Sequence, residues 1–241
     1  MKLRIEKYLA DMGIGTRTEI KKYIKNGMVS VNGKIIKSAG DKIDTDSDIV
    51  EYNGKEIEYL EYEYYMLNKP AGVISATEDR NTKTVLDLIT DSRRKDLFPV
   101  GRLDKDTEGL LIITNDGMLA HELLSPAKHV DKVYYVKTDA RLCKEHVEKF
   151  SKGIQVDDEF TAKEAKLEIL KAEDTGSEAL LTIHEGKFHQ VKRMMEAIGN
   201  TVTYLKRISM GPIELPKDLK PGEYRRLTID EINMLKGIED V

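Results

Sequence analysis

Apolar residues recur at helical spacing at the start of the chain. In RIEKYLADMG they share one face of a predicted helix, which Gly13 ends. The next segment, TRTE, has the form of a capping box, because the side chains of Thr16 and Glu19 can each pair with a backbone amide. It predicts a second helix through EIKKYIKNG, with Ile20 and Ile24 on its apolar face. Two short helices therefore open the chain.

Two Asn-Gly pairs follow these helices. The first, Asn32-Gly33, lies in MVSVNGKII, and the second, Asn53-Gly54, lies in DIVEYNGKEIEY. Asn-Gly between apolar runs is a strong signal for a hairpin with a two-residue turn. We therefore predict a small helix-hairpin domain over residues 1–60. The boundary is expected near Glu61, in a short connection.

Beyond this boundary, over residues 61–241, strand and helix patterns alternate. Strands are predicted in YYMLNKPAG, GLLIITNDG, DKVYYVKTD, AKLEIL, EALLTIHEG and TVTYLKRI. Helices are predicted in TKTVLDLI, MLAHELLSP, CKEHVEKFSKG, FHQVKRMMEAIG and EINMLKG. A second capping box, TIDE, opens the last helix. This order predicts the α+β class, with a second domain built on a mostly antiparallel mixed sheet.

Composition adds little to this picture. The 241 residues are 40% hydrophobic and 34% charged, which is ordinary for a compact protein. A single cysteine, Cys143, excludes an internal disulfide and fits a reducing compartment. No apolar run reaches the roughly 18 residues of a membrane span, and the start lacks the apolar core of a signal peptide. We expect a cytoplasmic protein.

The charge of the chain is distributed unevenly. The net charge is −4, yet residues 2–37 contain nine basic and three acidic residues. Clustered cations on a small domain are typical of phosphate binding, although a solvated charged face has the same appearance. The basic residues of interest are Arg17, Lys21, Lys22, Lys25 and Lys34.

Several kinds of chemistry have no support in the sequence. Cys143 and His146 are spaced as on one helix, but nothing else supplies the further ligands of a zinc site. The chain also lacks a phosphate-binding glycine loop, a dinucleotide fingerprint and a Gly-x-Ser-x-Gly motif. We therefore expect no metal and no cofactor.

One segment before a buried strand concentrates charged residues. In GRLDKDTEGLLIITNDG, Arg102 and Asp104 stand two residues apart, ahead of the apolar run LLII. This pattern is consistent with a salt bridge in a loop. It is also consistent with Asp104 as a nucleophile and Arg102 as a residue that presents a substrate to it.

Two resemblances to known families bear on this choice. RIEKYLADMGIGTRTEIKKYIKNGMVSVNGKII resembles the small S4-type RNA-binding domain, which implies that the five basic residues contact RNA phosphates. GRLDKDTEGLLIITNDG resembles the signature of the Rsu family of RNA pseudouridine synthases. The similarity continues, in order, through YYMLNKPAGV, SPAKHVDKVYYV, EGKFHQVKRMMEAIGN and PGEYRRLT, and with the first domain it covers nearly the whole chain.

The second resemblance implies a role for individual residues. Asp104 would be the carboxylate that attacks or stabilises the sugar–base system, and Lys192, or else Arg193, would be the cation beside it. Tyr134 would accept the proton from ring carbon five. Three further assignments concern substrate binding: Ile183 beneath the base, Arg102 in the place left by the flipped uridine, and Lys69 and Lys132 as phosphate or structural contacts.

The reaction that this family catalyses exchanges a nitrogen–carbon for a carbon–carbon bond without oxidation, so the resemblance implies no cofactor. The motifs with His129, His189 and Lys192 resemble the member that modifies 16S rRNA. A synthase for 23S rRNA and a non-catalytic rRNA-binding assembly factor are the alternatives. We expect a monomer whose partner is ribosomal RNA or a part-assembled small subunit.

Overall fold

The fold is that of a computed structural model, which describes residues 1–237. The chain divides into two units. The first combines residues 1–63 with residues 90–97, and the second combines residues 64–89 with those from 98 onward. The boundary that we predict at residue 60/61 thus lies three residues before this division. Nothing in the sequence pattern assigned residues 90–97 to the first unit.

The first unit begins with the two predicted helices. Thr16 accepts a hydrogen bond from the Glu19 amide at 3.3 Å, and Glu19 accepts one from the Thr16 amide at 2.8 Å, so the capping box is formed. The elements are β1 (Lys2–Arg4), α1 (Ile5–Asp11), α2 (Arg17–Lys25), β2 (Val29–Val31), β3 (Lys34–Ile35), β4 (Lys42–Asp44), β5 (Val50–Tyr52) and β6 (Lys55–Glu56). β1 pairs with β4, and the other strands form a sheet in the order β3-β2-β5-β6.

Both Asn-Gly turns connect antiparallel strands, as predicted. Asn32 and Gly33 have φ angles of 51° and 73°, and Asn53 and Gly54 have φ angles of 51° and 72°. Two consecutive positive φ angles define the type I′ turn, which Asn-Gly adopts at low cost. The pairing of β2 with β3 and of β5 with β6 follows from this local geometry.

The core of the first unit comes from both helices and the sheet. Its buried members are Ile5, Tyr8, Leu9, Met12, Ile20, Ile24, Val29, Ile43 and Val50. The segment 90–97 is attached by Arg94, which is 4% exposed. Its guanidinium donates to the Leu60 carbonyl at 3.1 Å and to the Asp96 carboxylate at 2.6 Å. A buried cation needs such partners, so Arg94 fixes this segment in the first unit.

The second unit is built on one large sheet. The strands of this unit are β7 (Tyr64–Lys69), β8 (Phe98–Pro99), β9 (Glu108–Thr114), β10 (Lys132–Thr138), β11 (Ile154–Gln155), β12 (Thr161–Ala162), β13 (Lys166–Glu173), β14 (Gly176–Ile183), β15 (Val202–Met210), β16 (Ile213–Glu214) and β17 (Tyr224–Arg226). The strand order in the large sheet is β13-β14-β10-β15-β9-β7-β17, with β16 beside β15 and β8 beside β9. Among these strands of the described chain, only β9 and β15 pair in parallel, which confirms the predicted α+β class with a mostly antiparallel mixed sheet.

Helices cover this sheet and enclose an apolar core. They are α3 (Gly117–Leu124), α4 (Lys144–Lys152), α5 (Gln190–Glu196) and α6 (Ile229–Lys236). One cluster packs α3 and α6 against β7 and β9, and its fully buried members include Met66, Leu110, Ile112 and Met210. None of the helices within residues 1–237 is long and apolar enough to cross a bilayer.

Gly109 is required where β9 meets β15. Its φ angle is +105°, and a Cβ atom at this position would lie 2.2 Å from the carbonyl oxygen of Arg207. Backbone atoms cannot yield as a flexible side chain does, so any other residue would separate the two strands. Because β9 follows the segment with Asp104, this close approach also fixes where that segment emerges from the sheet.

One predicted helix, TKTVLDLI, is wrong. The structure has only a single 3₁₀ turn there, Leu86–Leu88. The Ile74 amide donates to the Lys83 carbonyl at 3.1 Å, and the Val85 amide donates to the Ile74 carbonyl at 3.0 Å. In an α-helix the Lys83 carbonyl would accept from the Asp87 amide, but here it is engaged by Ile74. The bridge between Ile74 and Thr84 therefore replaces the predicted helix.

Candidate active site

A serine from another segment of the chain hydrogen-bonds to the loop that contains Asp104. The Ser75 hydroxyl donates to the Leu103 carbonyl at 2.9 Å and accepts from the Leu103 amide at 3.0 Å. Within the loop, the Thr107 amide donates to the Asp104 carbonyl at 3.1 Å. The backbone on both sides of Asp104 is therefore fixed before any ligand is present. Sequence analysis did not identify Ser75, because its role depends on a contact with a distant segment.

The side chain of Lys69 also hydrogen-bonds to this loop. Its side chain is fully buried, and its ammonium donates to the carbonyls of Pro70, Lys105 and Thr107 at 3.1, 3.3 and 2.8 Å. Burial lowers the pKa of this lysine to about 8. With no exposed surface, Lys69 cannot reach a substrate. Its assignment to substrate binding is therefore corrected: of the two roles that we considered, the contacts match the structural one.

A lysine from α5 reaches Asp104. Nζ of Lys192 lies 3.2 Å from Oδ2 of Asp104, and Nε2 of His189 lies 3.5 Å from Oδ1 of the same carboxylate. The Asp104 side chain is 23% exposed, so it is partly enclosed. A positive charge therefore lies beside the carboxylate, where it balances the negative charge that a carboxylate nucleophile carries.

A second carboxylate, which sequence analysis missed, shares the same lysine. The Asp106 oxygens lie 2.7 and 2.9 Å from Nζ of Lys192, and this hydrogen bond lowers the pKa of Asp106. Burial alone would lower the pKa of Lys192, but its hydrogen bonds to Asp106 and Asp104 outweigh that effect and raise it. The Asp-x-Asp spacing in GRLDKD was the only signal for this arrangement, and such spacing is common in exposed loops.

Asp104 and Lys192 line a small cavity of about 50 Å³ together with Arg102, Tyr134 and Ile183. The sheet explains why these residues meet. Lys132 of β10 is paired with Ile183 of β14, and Tyr134 lies two residues further along β10, so the three side chains share one face. Tyr134 is 7% exposed and Ile183 is 2% exposed, so the floor of the cavity is apolar and closed.

A wider groove, about 640 Å³ in volume, adjoins this cavity. Arg102 lines both spaces; it is exposed and makes no hydrogen bond or ion pair with any residue of the described chain. Lys132 also lines the groove, but it is 3% exposed and donates to the Val130 carbonyl at 2.9 Å. Burial and the nearby Arg207 lower the pKa of Lys132 to about 8. Arg102 is therefore free to contact a ligand, whereas Lys132 is largely engaged in the fold.

Arg193 points away from the cavity. Its guanidinium pairs with Asp157 and lies 5.2 Å from the ring centroid of Phe160. Lys192 is thus the residue beside Asp104, and Arg193 is not. The assignment of Arg193 to substrate binding stays a prediction. Successive residues on a helix point in different directions, which separates these two side chains.

The predicted RNA contacts lie in the first unit. The five basic residues are all exposed, and three of them share the outer face of α2. Lys21 lies 3.9 Å from Glu6; the other four form no ion pair with the residues that the structure describes. They are Arg17, Lys22, Lys25 and Lys34.

Cys143 and His146 lie at the start of α4, where His146 accepts a hydrogen bond from the Cys143 amide at 3.3 Å.

Comparison with known proteins identifies the family. Residues 63–197 match the RNA pseudouridylate synthase family, and residues 3–50 match the S4 domain. A solved structure described as a pseudouridylate synthase superposes with a TM-score of 0.67 at 36% identity, covering 97% of this chain and 99% of that one.

Curated relatives match over nearly the full length. An uncharacterised RNA pseudouridine synthase of Bacillus subtilis, YtzG, is 47% identical, covering 97% of this chain and 98% of the relative. Ribosomal small subunit pseudouridine synthase A of Vibrio vulnificus is 41% identical, covering 96% and 98%. Ribosomal large subunit pseudouridine synthase B of Bacillus subtilis is 40% identical, covering 98% and 97%.

These matches define an enzyme class in which an S4 domain is joined to a uridine-isomerising domain. The chain belongs to the RNA pseudouridylate synthase family, as its motifs predicted. It is an RNA pseudouridine synthase.

Proposed function

We propose that this enzyme isomerises a uridine of 16S ribosomal RNA, with Asp104 as the catalytic carboxylate. One observation carries the assignment of Asp104. It is the carboxylate that shares a small cavity with Lys192, Tyr134 and Ile183, at 3.2 Å from the lysine. The other nearby carboxylate, Asp106, has a side chain that is 73% exposed and does not line this cavity.

The chemistry requires little besides these groups. The bond between the sugar C1′ and N1 of uracil breaks, the base turns, and C1′ bonds to C5. The proton on C5 is lost and N1 gains one, so atoms and electrons balance without an oxidant. The Asp104 carboxylate attacks either C1′, displacing N1, or the base, and the bond that it forms is broken again when C1′ joins C5, so the aspartate is regenerated. The Lys192 ammonium lies beside this negative charge. In this proposal Tyr134, which lines the same cavity, takes the C5 proton, and Ile183 packs under the base.

Arg102 suits the step that brings the uridine into the cavity. A stacked base must leave its neighbours, which costs a few kcal/mol. Because Arg102 is exposed at the mouth of the cavity and unpaired in the described chain, it can fill the place that the uridine leaves. The exposed cations on α2 and the adjoining hairpin then supply phosphate contacts that hold the RNA without reading its sequence.

The choice of 16S rRNA is supported by the motifs with His129, His189 and Lys192 and by relatives named as small-subunit enzymes. The large-subunit relative, at 40% identity, makes 23S rRNA the competing substrate. We propose a monomer that acts in the cytoplasm, where ribosomes assemble.

Chemical mapping of pseudouridines on 16S and 23S rRNA tests this choice. RNA from a strain that lacks the enzyme is compared with RNA from the same strain complemented by the intact gene and by an Asp104→Ala version. We expect one 16S position to lose its signal and to regain it only with the intact gene. A loss confined to 23S rRNA contradicts the proposed substrate, and rescue by Asp104→Ala contradicts the catalytic role.

A further inference from the structure

An exposed aromatic side chain stands at the edge of the wide groove. Phe188 is 72% exposed, although burial of a side chain of this size is normally favourable. Single exposed apolar residues are common and need no explanation by themselves. Phe188 differs because it lines the same groove as Asp104 and Arg102.

The Phe188 ring is already part of a stack. Its centroid lies 3.8 Å from that of His189, with 19° between the two planes. One face of the phenyl ring is thus covered by the imidazole, and the exposed remainder is available to another flat group. His189 in turn lies 3.5 Å from the Asp104 carboxylate, so the stack continues to the catalytic residue.

The loop that carries this stack is rigid. The Gln190 side chain accepts from the Lys187 amide at 2.9 Å and donates to the buried Glu185 at 2.8 Å. Glu185 also accepts from the Lys163 amide at 2.9 Å. These contacts hold the loop on both sides of Phe188, so a ligand that stacks there would not have to order it.

The charges around the groove indicate the kind of ligand. Three exposed cationic side chains line it, Arg102, Lys105 and Lys187, while Lys132 is buried and engaged in the fold. The acidic residues of the groove are Asp104 and Glu185, and the Glu185 carboxylate is occupied within the loop. An aromatic face among cations is the usual arrangement for a nucleotide, whose base stacks while its phosphate meets a basic group.

The groove is much larger than the cavity beside Asp104. The groove is about 640 Å³, within the roughly 300–1,000 Å³ of small-ligand sites, whereas the cavity beside Asp104 is about 50 Å³. The groove therefore has room for a nucleotide beyond the one that reacts.

We propose that Phe188, backed by His189, is a stacking platform for the base of a nucleotide next to the target uridine. Lys187 and Lys105 lie at the same groove and contact the phosphate of that nucleotide. This inference depends on the proposed function in one respect, which is that the reacting uridine lies at Asp104. It selects single-stranded or unstacked RNA, because a base inside a duplex offers no free face.

A tryptophan at this position reports stacking directly. The chain contains no Trp, so Phe188→Trp introduces a single fluorophore, and an exposed position tolerates the exchange. We expect oligouridylate to quench its fluorescence, also when Asp104→Asn is present. An oligomer of the same length without bases is expected to quench little. Met118, which is 79% exposed and does not line the groove, gives the matched control Met118→Trp, which should not respond.

Kinetics test the same site in the active enzyme. Tritium release from transcripts that contain uridine labelled at C5 gives KM and kcat for Phe188→Ala, Phe188→Tyr and Met118→Ala. Loss of one stacked base should raise KM roughly tenfold in Phe188→Ala with kcat nearly unchanged. Phe188→Tyr and Met118→Ala should behave as the wild type.

The outcomes separate the platform from the proposed function. Equal quenching by both oligomers, or an unchanged KM in Phe188→Ala, overturns the platform and leaves the catalytic assignment intact. A fall in kcat at constant KM also overturns it, because Phe188 would then act on the chemical step. If no variant releases tritium from rRNA while oligouridylate still quenches Phe188→Trp, the platform stands and the proposed rRNA substrate fails.

Discussion

Lys192 and Asp104 come from different elements of the second unit and meet with 3.2 Å between Nζ and Oδ2. The contact places a positive charge beside a carboxylate that is partly removed from water. The ammonium thus balances the negative charge that a carboxylate nucleophile carries. The lysine also bonds to Asp106, so its position does not depend on Asp104 alone.

Replacement of Asp104 by Asn tests the nucleophile without loss of the fold. Because Lys192 keeps its hydrogen bonds to Asp106, no buried cation is left unpaired. We expect pseudouridine formation to fall by at least about 10³-fold, as when other nucleophiles are removed. RNA affinity and the unfolding temperature should stay close to those of the wild type. Product formation at an undiminished rate would contradict the assignment.

Asp106 is predicted to determine how far into alkaline pH the enzyme works. Burial lowers the pKa of Lys192 and the hydrogen bond to Asp106 raises it, so Asp106→Asn removes a raising partner and leaves the lowering effect. The ammonium is then lost at a lower pH. We expect the alkaline limb of kcat/KM to move to lower pH in this variant, as measured by tritium release over a pH series.

The matched control for that profile is Asp157→Asn. Asp157 pairs with Arg193, the residue next to Lys192, and takes no part in the Lys192 contacts. Its removal should leave the alkaline limb in place. If the alkaline limb of kcat/KM does not move in Asp106→Asn, or moves equally in both variants, Asp106 does not raise the pKa of Lys192 as proposed.

Local signals predicted much of the fold. The capping boxes at Thr16 and Thr228 and the Asn-Gly turns depend on residues close in sequence, and the structure has all of them. Two-residue strands such as β11 and β16 were not predicted, because they are too short for a pattern to repeat. The helix predicted around Leu86 failed for a different reason: hydrogen bonds to Ile74 decide its backbone conformation.

The residues of the site likewise include some that the sequence predicts and others that only the structure identifies. Asp104, Tyr134 and Lys192 lie in motifs, and all three line one cavity. Ser75 and Asp106 have no such signal, because each acts through a residue that the sequence does not place beside it. For Lys69 the sequence left a phosphate contact and a structural role open, and only the structure shows that its ammonium faces carbonyl oxygens in the interior.

Gly109→Ala should destabilise the second unit. The new Cβ would lie 2.2 Å from the carbonyl oxygen of Arg207, and the residue has a φ angle of +105°. We expect a loss of about 2 kcal/mol or more in the free energy of unfolding, measured by urea denaturation. Gly33→Ala is the control: its φ angle is +73° and its Cβ meets nothing within 4 Å, so only about 1 kcal/mol should be lost. Equal losses would contradict the role of the strand contact.

The buried Lys69 should make stability depend on pH. Its pKa is about 8 in the folded protein and 10.5 as the ordinary value, so between these pH values the unfolded chain holds more protons. Lys69 therefore makes the free energy of unfolding increase as pH rises from 8 towards 10.5. Below pH 8 its contribution is constant. Urea denaturation of the wild type and of Lys69→Met over this range measures the effect.

We expect the stability of the wild type relative to Lys69→Met to increase with pH across that window. Lys217→Met, at an exposed lysine without an ion pair in the described chain, should show a constant difference from the wild type. If the difference between the wild type and Lys69→Met is also constant, the ammonium is not carried into the folded interior as the structure indicates.

Three lysines on α2 are predicted to supply RNA affinity through charge alone. Replacement of Lys21, Lys22 and Lys25 by Gln removes cations from one exposed face of that helix. Each lost phosphate contact should reduce the slope of log affinity against log salt by about 0.7–0.9, so a total reduction of roughly 2 is expected. Filter binding of rRNA fragments at several salt concentrations measures the slope.

The control for this prediction removes an equal charge from another helix. Lys144, Lys149 and Lys152 are exposed on α4 of the second unit, and their replacement by Gln changes the net charge by the same amount. If phosphates bind at α2, the slope should fall only in the first triple variant. Equal reductions in both would show that overall charge is responsible, and the contact assignment of α2 would fail.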